Sequence, residues 1–444
     1  MRVHRVVIGL IAGLIVGSAI GAWDSAIALR VASVLEPIGQ LWVNAIRMTI
    51  VPLVVSLLFV GVAGRTDDSA LGRLGGVTIA TFFLLLIFAG FVALLIAPSL
   101  INDMKLSAEA AGALRSHAQS GAAQVASNVT KLPGFGAWVT GIVPANVVKA
   151  AADGAMLPLI AFTLLFALAA RKIDPGLRAA LIDFFSGIAG ATTTLVDWVI
   201  WAAPVGVFAL IVAASTRAGI ALAGATAYYI AAISAAFVLY ALLVYPFATV
   251  LGKIPLGWFT RAVLPAQAVA LSSSSSLASL PALVEGSRAL GLPVEVGGFT
   301  LPLAVSTFKA ATPISWLVGT LFLAKLYGIS LGTTAIVTIV LTSIVLSFTI
   351  PGVPQGSQLL LAPVLASYGI PPEGIALLIA ADTIPDLFAT TSNVTADLVA
   401  AAVVARIGVS GSGSVAEPEG AAASSDLGED DADEFQGNDV GDIR

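Results

Sequence analysis

The sequence predicts an all-α membrane protein whose chain crosses the bilayer several times. Hydrophobic residues make up 58% of the 444 positions and charged residues only 11%, with a mean hydropathy of +0.99. A soluble domain carries roughly 25% charged residues. Apolar runs of about 20 residues, long enough to cross a bilayer, recur along almost the whole chain. Two further apolar stretches are interrupted near their middle, and these are expected to turn back inside the membrane.

Eight helices are predicted to cross the membrane. Their bounds are 4–22, 38–64, 74–98, 138–170, 184–215, 222–250, 296–326 and 372–408. The first resembles a signal peptide because Arg2 and Arg5 precede it, but no cleavage pattern followed by a soluble domain is present, so we expect a retained helix. The fourth contains Pro144 and Pro158, which are expected to break it into pieces. An external loop is predicted at 99–137.

Charge placement orients the predicted helices. With a cytoplasmic amino terminus, the inner loops collect eleven Lys and Arg residues and the outer segments six, in agreement with the positive-inside rule. Both termini are then cytoplasmic. Residues 409–444 form an acidic tail, since ten Asp and Glu residues follow Ser410 against one Arg. That composition is typical of a disordered extension.

Two segments, 256–292 and 331–369, are apolar at both ends and interrupted between them. The first contains five consecutive serines, and the second contains the sequence IPGVPQGS. Non-helical backbone persists at membrane depth only where protein or water satisfies it, so each segment is predicted to be a re-entrant hairpin. A hairpin followed by a helix occurs twice, with the two hairpins entering from opposite sides. Inverted repeats with such broken segments indicate a transporter's binding site.

The last predicted helix carries a row of polar side chains. Asp382, Asp386, Asn393 and Asp397 are four, seven and four residues apart, which places them, with Thr390, on one stripe of an α-helix. An ionised carboxylate at membrane depth is costly unless it faces protein or water. The stripe therefore predicts a site for a polar solute or an ion. Interhelical hydrogen bonds that only hold a bundle together are the alternative.

Several classes of chemistry are excluded by the composition. The chain has no cysteine, which excludes disulfides and thiol catalysis. His4 and His117 have no plausible metal partner. An intramembrane aspartyl protease needs two carboxylates that share a proton across facing helices, whereas Asp382 and Asp386 lie on one predicted helix. We therefore expect no catalytic residue, no enzymatic activity, no organic cofactor and no nucleic-acid partner.

Four stretches of the chain carry a family resemblance. They are SSSSSLASLP, FTLPLAVSTFKAATP, IPGVPQG and DTIPDLFATTSNVTAD. From about residue 40 to 408 the sequence resembles the dicarboxylate/amino acid:cation symporter family, the glutamate transporter group. The resemblance implies eight transmembrane helices, two re-entrant hairpins and inverted repeats. It also implies a homotrimer in the lipid bilayer and an elevator mechanism, in which a transport domain moves against a scaffold.

The resemblance also implies a division of the chain and a set of site residues. The parts are scaffold helices 1 and 2 at 1–73, transport-domain helix 3 at 74–98, scaffold helices 4 and 5 at 138–221, and the remaining transport domain at 222–408. Asp386 matches the aspartate that holds a substrate amino group, and Asn393 the asparagine that holds its α-carboxylate. Asp397 matches a sodium ligand. The other implied substrate contacts are Ser275, Ser276, Thr312, Val353, Gly356 and Thr390.

The chain departs from the family pattern at its substrate and sodium positions. Acidic-substrate members keep an arginine that clamps a side-chain carboxylate, and this chain has Ala389 there, so a neutral amino acid fits better. The family's NMDGT sodium motif is replaced by Phe308 to Thr312. In the family the third helix offers Tyr and Thr or Ser to the same sodium region, whereas this chain carries Phe82, Phe83, Leu86 and Ile87 there. At least one sodium site is therefore expected to be missing.

Lys309 is the residue most directly involved in this departure. We hypothesise that its ammonium replaces a bound cation, paired with Asp397, and that Lys309, Asp382 or Asp397 couples transport to protons. The alternative is that Lys309 snorkels away or forms a fixed ion pair. If a sodium site remains, Asp397 and Thr312 would hold it. The expected function is a secondary active transporter in the cytoplasmic membrane for a small amino acid or carboxylate, with altered cation coupling. The alternative is a sodium-independent facilitator or an anion-conducting channel.

Overall fold

The computed structural model describes residues 25–64, 68–104, 135–218, 225–350 and 356–408, together with separate positions within 8–20 and 106–127. These residues form helices and connections, with no strand among them. Val353, nine of the 19 positions of the predicted first helix at 4–22, and the acidic tail at 409–444 lie outside the described residues.

Sixteen α-helices are numbered here in chain order within the described residues. They are α1 (Ser25–Ala63), α2 (Asp68–Asn102), α3 (Phe135–Gly141), α4 (Val147–Ala152), α5 (Met156–Ala170), α6 (Pro175–Trp201), α7 (Ala203–Ala218), α8 (Ala225–Val250), α9 (Leu256–Ser273), α10 (Ser276–Ala289), α11 (Val294–Thr307), α12 (Thr312–Tyr327), α13 (Thr333–Leu346), α14 (Gly356–Ser367), α15 (Ile375–Ala381) and α16 (Pro385–Gly408). Short 3₁₀ turns lie at Ser347–Thr349 and Pro372–Gly374.

Six spans in the described part of the chain are long and apolar enough to cross a membrane. They are Ser33–Ala63, Gly72–Asn102, Pro175–Trp201, Thr226–Val250, Val294–Tyr327 and Pro385–Gly408. Each overlaps one of the eight helices predicted from the sequence. The chain is thus an α-helical protein with multiple apolar, membrane-length helices, and the count of eight stays a prediction.

Several helix bounds differ from the prediction. The helix predicted at 138–170 is three pieces, with Pro144 in a break as expected, but the expectation of a break at Pro158 is wrong. Pro158 is the third residue of α5, where the backbone N–H has no intrahelical partner to lose. The break lies instead at Asp153–Ala155, where Gly154 has φ +66. The helix predicted at 184–215 is also two helices, α6 and α7, separated at Ala202.

The helices pack into two groups. α1 packs against α5, α6 and α7, while α16 is surrounded by α2, α8, α9, α10 and α11. Every residue from Ser392 to Ala405 is buried, although this stretch carries Asn393 and Asp397. Small side chains such as Ala400 and Ala401 allow the neighbouring helices to approach α16 closely. Asn393 and Asp397 of the predicted polar stripe are therefore at the centre of the fold and not on a surface that lipid could reach.

Cations from distant parts of the chain cap the ends of three long helices. Arg178 donates to the carbonyl of Ala63 at 2.6 and 2.9 Å, and Arg73 donates to the carbonyl of Gly408 at 2.8 Å. Lys325 donates to the carbonyls of Ile101 and Asn102 at 2.6 and 3.0 Å. The last carbonyls of a helix lack intrahelical partners and carry the negative end of its dipole. Arg73, Arg178 and Lys325, three of the few charged residues in the chain, thus have a structural role as helix caps.

α9 and α10 turn back on each other at the serine run. Ser274 has a left-handed φ of 49°, and Ser275 begins α10 by accepting a hydrogen bond from the Ala278 N–H at 3.2 Å. A Cβ at Gly286 would lie 2.6 Å from the Ala262 carbonyl oxygen. Because these two positions are equally far from Ser274 along the chain, the helices run antiparallel. The serine run is therefore a tight connection between two buried helices.

Candidate functional site

The backbone between α11 and α12 is not helical, and side chains from other elements satisfy it. Phe308 N donates to Ala304 O at 2.8 Å, which is the last regular bond of α11. Lys309 N then donates to Ser347 Oγ at 3.3 Å, and Ser347 Oγ donates to Lys309 O at 3.0 Å. Ala311 N donates to Asn393 Oδ1 at 2.8 Å. The segment Phe308–Ala311 is thus held from two directions, which keeps its polar backbone inside the protein.

The Lys309 side chain forms a hydrogen bond that this break makes available. Its N–H is bonded to Ser347, so the carbonyl of Val305 four residues earlier loses the helical donor it would normally receive. The ammonium of Lys309 fills that position, with Nζ donating to Val305 O at 2.7 Å. The hypothesis that Lys309 pairs directly with Asp397 is therefore not met in this conformation, because the freed carbonyl is the nearer acceptor. Asp397 and Asp386 are nevertheless the carboxylates whose charge acts on Lys309.

Asp397 is completely buried. Its relative exposure is 0%, and neither carboxylate oxygen has a hydrogen-bond partner among the residues that the structure describes. Leaving a charged group in that position would be very unfavourable, so such a carboxylate is either protonated or matched by a cation. Two buried acceptor atoms without a donor distinguish Asp397 from the other polar groups of α16.

The ring of Phe308 fills the space beside the broken segment. It is stacked on Phe82 of α2, with ring centroids 4.6 Å apart and planes at 2°. Both residues are completely buried. Phe308, Ala310 and Ala311 offer no side-chain oxygen to a cation, so a cation there would depend on Asp397, Thr312 and backbone carbonyls.

Asp386, the second residue of α16, lies beside two hydroxyl groups. It is half-buried, and the side chains of Thr390 and Ser274 lie next to its carboxylate. Ser274 reaches it from the connection between α9 and α10, whereas Thr390 is one turn further along α16. A carboxylate so placed can bind an ammonium group while the two hydroxyls donate to its remaining lone pairs.

Asp382 lies outside α16. The helix breaks at Asp382–Ile384, so the prediction that all four polar residues share one uninterrupted helix is wrong. The physical reason is Pro385, which has no N–H to continue the ladder, although Asp386 N still donates to Asp382 O at 2.8 Å. The Asp382 carboxylate accepts a hydrogen bond from Gln358 Nε2 at 2.6 Å. This contact joins α14 to the connection between α15 and α16.

The other predicted site residues have varied positions. Ser275 is occupied as the cap of α10, Ser276 is buried in its first turn, and Thr312 is the buried first residue of α12. Gly356 is the first residue of α14. Thr312 is near the centre of the site because Thr312 N donates to Lys309 O at 3.0 Å. The structure thus brings Lys309, Thr312 and Asn393 together around the broken segment.

Sequence reasoning missed four residues that organise the site. Ser347 holds the backbone of Lys309, and Gln358 holds Asp382. Trp316 Nε1 donates to Ser357 Oγ at 3.0 Å, which fixes the start of α14 to α12. The available signal was polarity, since Ser347, Ser357 and Gln358 each interrupt an apolar run, but single polar residues on a helix commonly serve only packing.

Comparisons with known proteins agree with this architecture. The family model described as sodium:dicarboxylate symporter family matches residues 3–407. The proton/glutamate-aspartate symporter of Escherichia coli (strain K12) is 30% identical over 406 residues, covering 90% of this chain and 92% of that protein. The proton/sodium-glutamate symport protein of Bacillus subtilis (strain 168) is 29% identical over 402 residues, covering 90% and 91%. The human neutral amino acid transporter B(0) is 28% identical over 435 residues, covering 90% and 78%.

Proposed function

Because this chain belongs to the sodium:dicarboxylate symporter family and is therefore a secondary transporter and not an enzyme, we propose that it carries a small neutral amino acid across the cytoplasmic membrane. Its relatives include glutamate and aspartate symporters and a neutral amino acid transporter. The choice among these substrates depends on the side chains that face the bound solute.

The hydrogen bond between Asn393 and Ala311 is the observation that carries the proposal. Ala311 N is a donor, so the atom of Asn393 that meets it is the amide oxygen, at 2.8 Å. The NH₂ of the same amide then points elsewhere and remains available to donate to a substrate carboxylate. Asp386, two turns earlier on α16, supplies the carboxylate for the substrate ammonium. Both ends of an α-amino acid thus have a partner of opposite polarity.

Ala389 supports a neutral side chain on the substrate. It lies on α16 between Asp386 and Asn393, is half-buried, and presents only a methyl group. A second carboxylate on the substrate would leave water without gaining a cationic partner at that position, which is unfavourable. We therefore expect alanine, serine or a similar amino acid to bind better than glutamate or aspartate.

Altered cation coupling is the second part of the proposal. The stacked pair of Phe82 and Phe308 occupies space where the family motif would place polar ligands. The buried carboxylate of Asp397 accepts no hydrogen bond from the described residues. The charge of Lys309 acts on both Asp397 and Asp386. We propose that the Lys309 ammonium balances Asp397 during transport in place of a sodium ion, with proton exchange at Lys309, Asp382 or Asp397.

The proposed transport movement uses the two groups of helices described above. A scaffold of α1, α5, α6 and α7 would carry a transport domain centred on α16, and the packing of α1 with α5 to α7 supports this division. α9 with α10, and α13 with α14, would be the two re-entrant hairpins. The movement would be of elevator type, in a homotrimer of eight-span subunits with both termini cytoplasmic.

A sodium-independent facilitator, or a channel that passes anions, is the second candidate. The observation that favours this candidate is the stacked pair of Phe82 and Phe308. A transporter that lacks sodium ligands cannot couple substrate movement tightly to sodium movement. Accumulation of substrate against a gradient would exclude this candidate. Equilibration without accumulation would exclude the coupled transporter.

A binding screen tests the proposed substrate. Purified protein is heated with single amino acids and dicarboxylates, in sodium and in choline buffers. A ligand at 100 times its Kd stabilises the folded state by roughly 2.7 kcal/mol, which is readily measured. We expect stabilisation by neutral amino acids in both buffers and its loss in Asp386→Asn. The control Asp183→Asn makes the same change at an exposed position of α6 and should behave as native. Stabilisation by glutamate alone would contradict the proposal.

A further inference from the structure

A cavity lies between the end of α8 and the start of α9, and none of the candidate site residues lines it. Its volume is about 930 Å³, within the range of small-molecule sites. The lining residues that matter here are Leu242, Tyr245, Thr249, Lys253, Leu256 and Thr260. No acidic residue is among the residues that line it. We call this cavity the α8–α9 crevice.

The crevice changes from apolar to cationic along its length. Its apolar end is at Leu242, about 12 Å from the end of the α8 span at the usual rise per residue. Leu242 and Leu256 are 61% and 54% exposed, so their side chains face the surroundings of the protein. Lys253 follows the last residue of that span by three positions. The Leu242 end of the crevice thus lies at hydrocarbon depth, and the charge lies where the span ends.

Lys253 is positioned by the backbone and has no acidic partner. It has a left-handed φ of 58°, while Gly252 N and Ile254 N on either side donate to Phe247 O and Ala248 O, both at 3.1 Å. These bonds fix the connection against the end of α8. The Lys253 side chain is exposed, and no carboxylate forms an ion pair with it in the described ranges.

The start of α9 adds a second positive feature to the same connection. α9 begins after Pro255, which provides no side-chain cap. The first N–H groups of the helix, at Leu256 and Gly257, therefore lack a capping acceptor at the positive end of the helix dipole. Trp258, half-buried in the first turn, is of a residue type enriched at the level of lipid headgroups.

We propose that the α8–α9 crevice binds an anionic phospholipid. One acyl chain lies against Leu242, Tyr245 and Leu256, and the phosphate meets Lys253 and the first amides of α9. An amphiphile with a negative head matches both the polarity gradient and the unpaired cation, whereas a zwitterionic head brings a second cation beside Lys253. Since α8 and α9 both pack on α16, the lipid would contact two helices that surround the candidate site.

Lipid retention tests the proposal. Delipidated protein is titrated with phosphatidylglycerol or phosphatidylcholine, and bound lipid is counted by native mass spectrometry. A basic residue near an anionic lipid surface contributes roughly 1 kcal/mol, so Lys253→Gln should lower phosphatidylglycerol retention about fivefold and leave phosphatidylcholine unchanged. Lys253→Arg should retain native behaviour. Lys172→Gln, a change at an exposed lysine outside the crevice, is the matched control and should have no effect.

A second variant tests the apolar end of the crevice. Leu242→Trp narrows it without changing charge and should also reduce phosphatidylglycerol retention. Equal retention of the two lipids by the native protein, or unchanged retention in both Lys253→Gln and Leu242→Trp, would overturn the proposal. Displacement of phosphatidylglycerol by inorganic phosphate at millimolar concentration would also overturn it, because the crevice would then bind a free anion and not a lipid.

Discussion

The rings of Phe82 and Phe308 are stacked in parallel, with centroids 4.6 Å apart and planes at 2°. Phe82 belongs to α2 and Phe308 to the non-helical segment after α11, so the contact joins two elements distant in sequence. Both rings are completely buried beside the candidate site. An aromatic pair here provides packing and no oxygen ligand, which is why we connect it with the loss of a sodium site.

The pair should contribute measurably to stability. Phe82→Ala removes a buried ring and leaves a cavity, which typically lowers the free energy of unfolding by about 3 kcal/mol or more. The measurement is unfolding of purified protein in detergent. Phe91→Ala, on the same helix but 60% exposed, is the control and should cost about 1 kcal/mol or less. Equal effects of the two changes would mean that the stacked pair is not an organising contact.

Lys309 and Asp397 should be energetically coupled although they do not form a direct ion pair. Lys309→Met leaves the buried Asp397 without its cation, while Asp397→Asn removes the charge that needs it. In a double-mutant cycle, we expect the combined variant to be less destabilised than the sum of the single variants by about 1–3 kcal/mol. The readout is the free energy of unfolding in sodium-free buffer. Additive effects would show that Lys309 does not balance Asp397.

Much of the architecture could be predicted from the sequence because hydrophobic length and polar interruption are local signals. The serine run at Ser274 indicated a connection between two apolar segments, and the structure has α9 and α10 turning back there. Positions of breaks within helices were less predictable. Pro158 is tolerated in a first turn, whereas the break at Asp153–Ala155 contains a glycine with positive φ. Which proline interrupts a helix depends on where the helix begins.

Sequence reasoning named several residues of the candidate site, but it did not predict their contacts. Asp386, Asn393 and Asp397 were identified by their spacing and by family resemblance, and Asn393 does meet the broken segment. The hydrogen bond of Lys309 to Val305 could not be predicted, because it depends on Ser347 taking the Lys309 N–H. Such a rearrangement depends on a tertiary contact between residues 38 positions apart, for which no local pattern exists.

Asn393 should act both in folding and in binding. Asn393→Asp keeps an oxygen for Ala311 N but loses the NH₂ donor and places a carboxyl group at a buried position, so it should lower stability by about 1–3 kcal/mol or more and reduce binding of an α-carboxylate tenfold or more. Asn393→Ala loses both functions and should cost roughly 1–3 kcal/mol of stability through the unsatisfied backbone amide. Thermal unfolding and amino acid titration measure the two effects. If Asn393→Asp bound the amino acid with native affinity, Asn393 would not belong to the substrate site. Asn44→Asp, the same change at an exposed position, is the control.

Gln358 should restrain α14. Gln358→Leu removes the 2.6 Å hydrogen bond to Asp382, and an intramolecular hydrogen bond contributes about 0.5–1.5 kcal/mol. Hydrogen exchange in Gly356–Ser367 should therefore accelerate by up to about tenfold, because opening of the segment becomes easier. Gln40→Leu, at an exposed position of α1, should leave that segment unchanged. If Gln358→Leu did not accelerate hydrogen exchange, the contact between Trp316 and Ser357 would be sufficient to restrain α14.

Transport measured in proteoliposomes tests the central proposal most directly. Uptake of labelled alanine and serine is followed with an inward sodium gradient, with choline replacing sodium, and with an inward proton gradient. We predict uptake that persists at an unchanged rate in choline, rises with the proton gradient and is lost in Asp386→Asn. Uptake that disappears in choline while Lys309 is intact would contradict the account, because sodium would then be required despite the lysine.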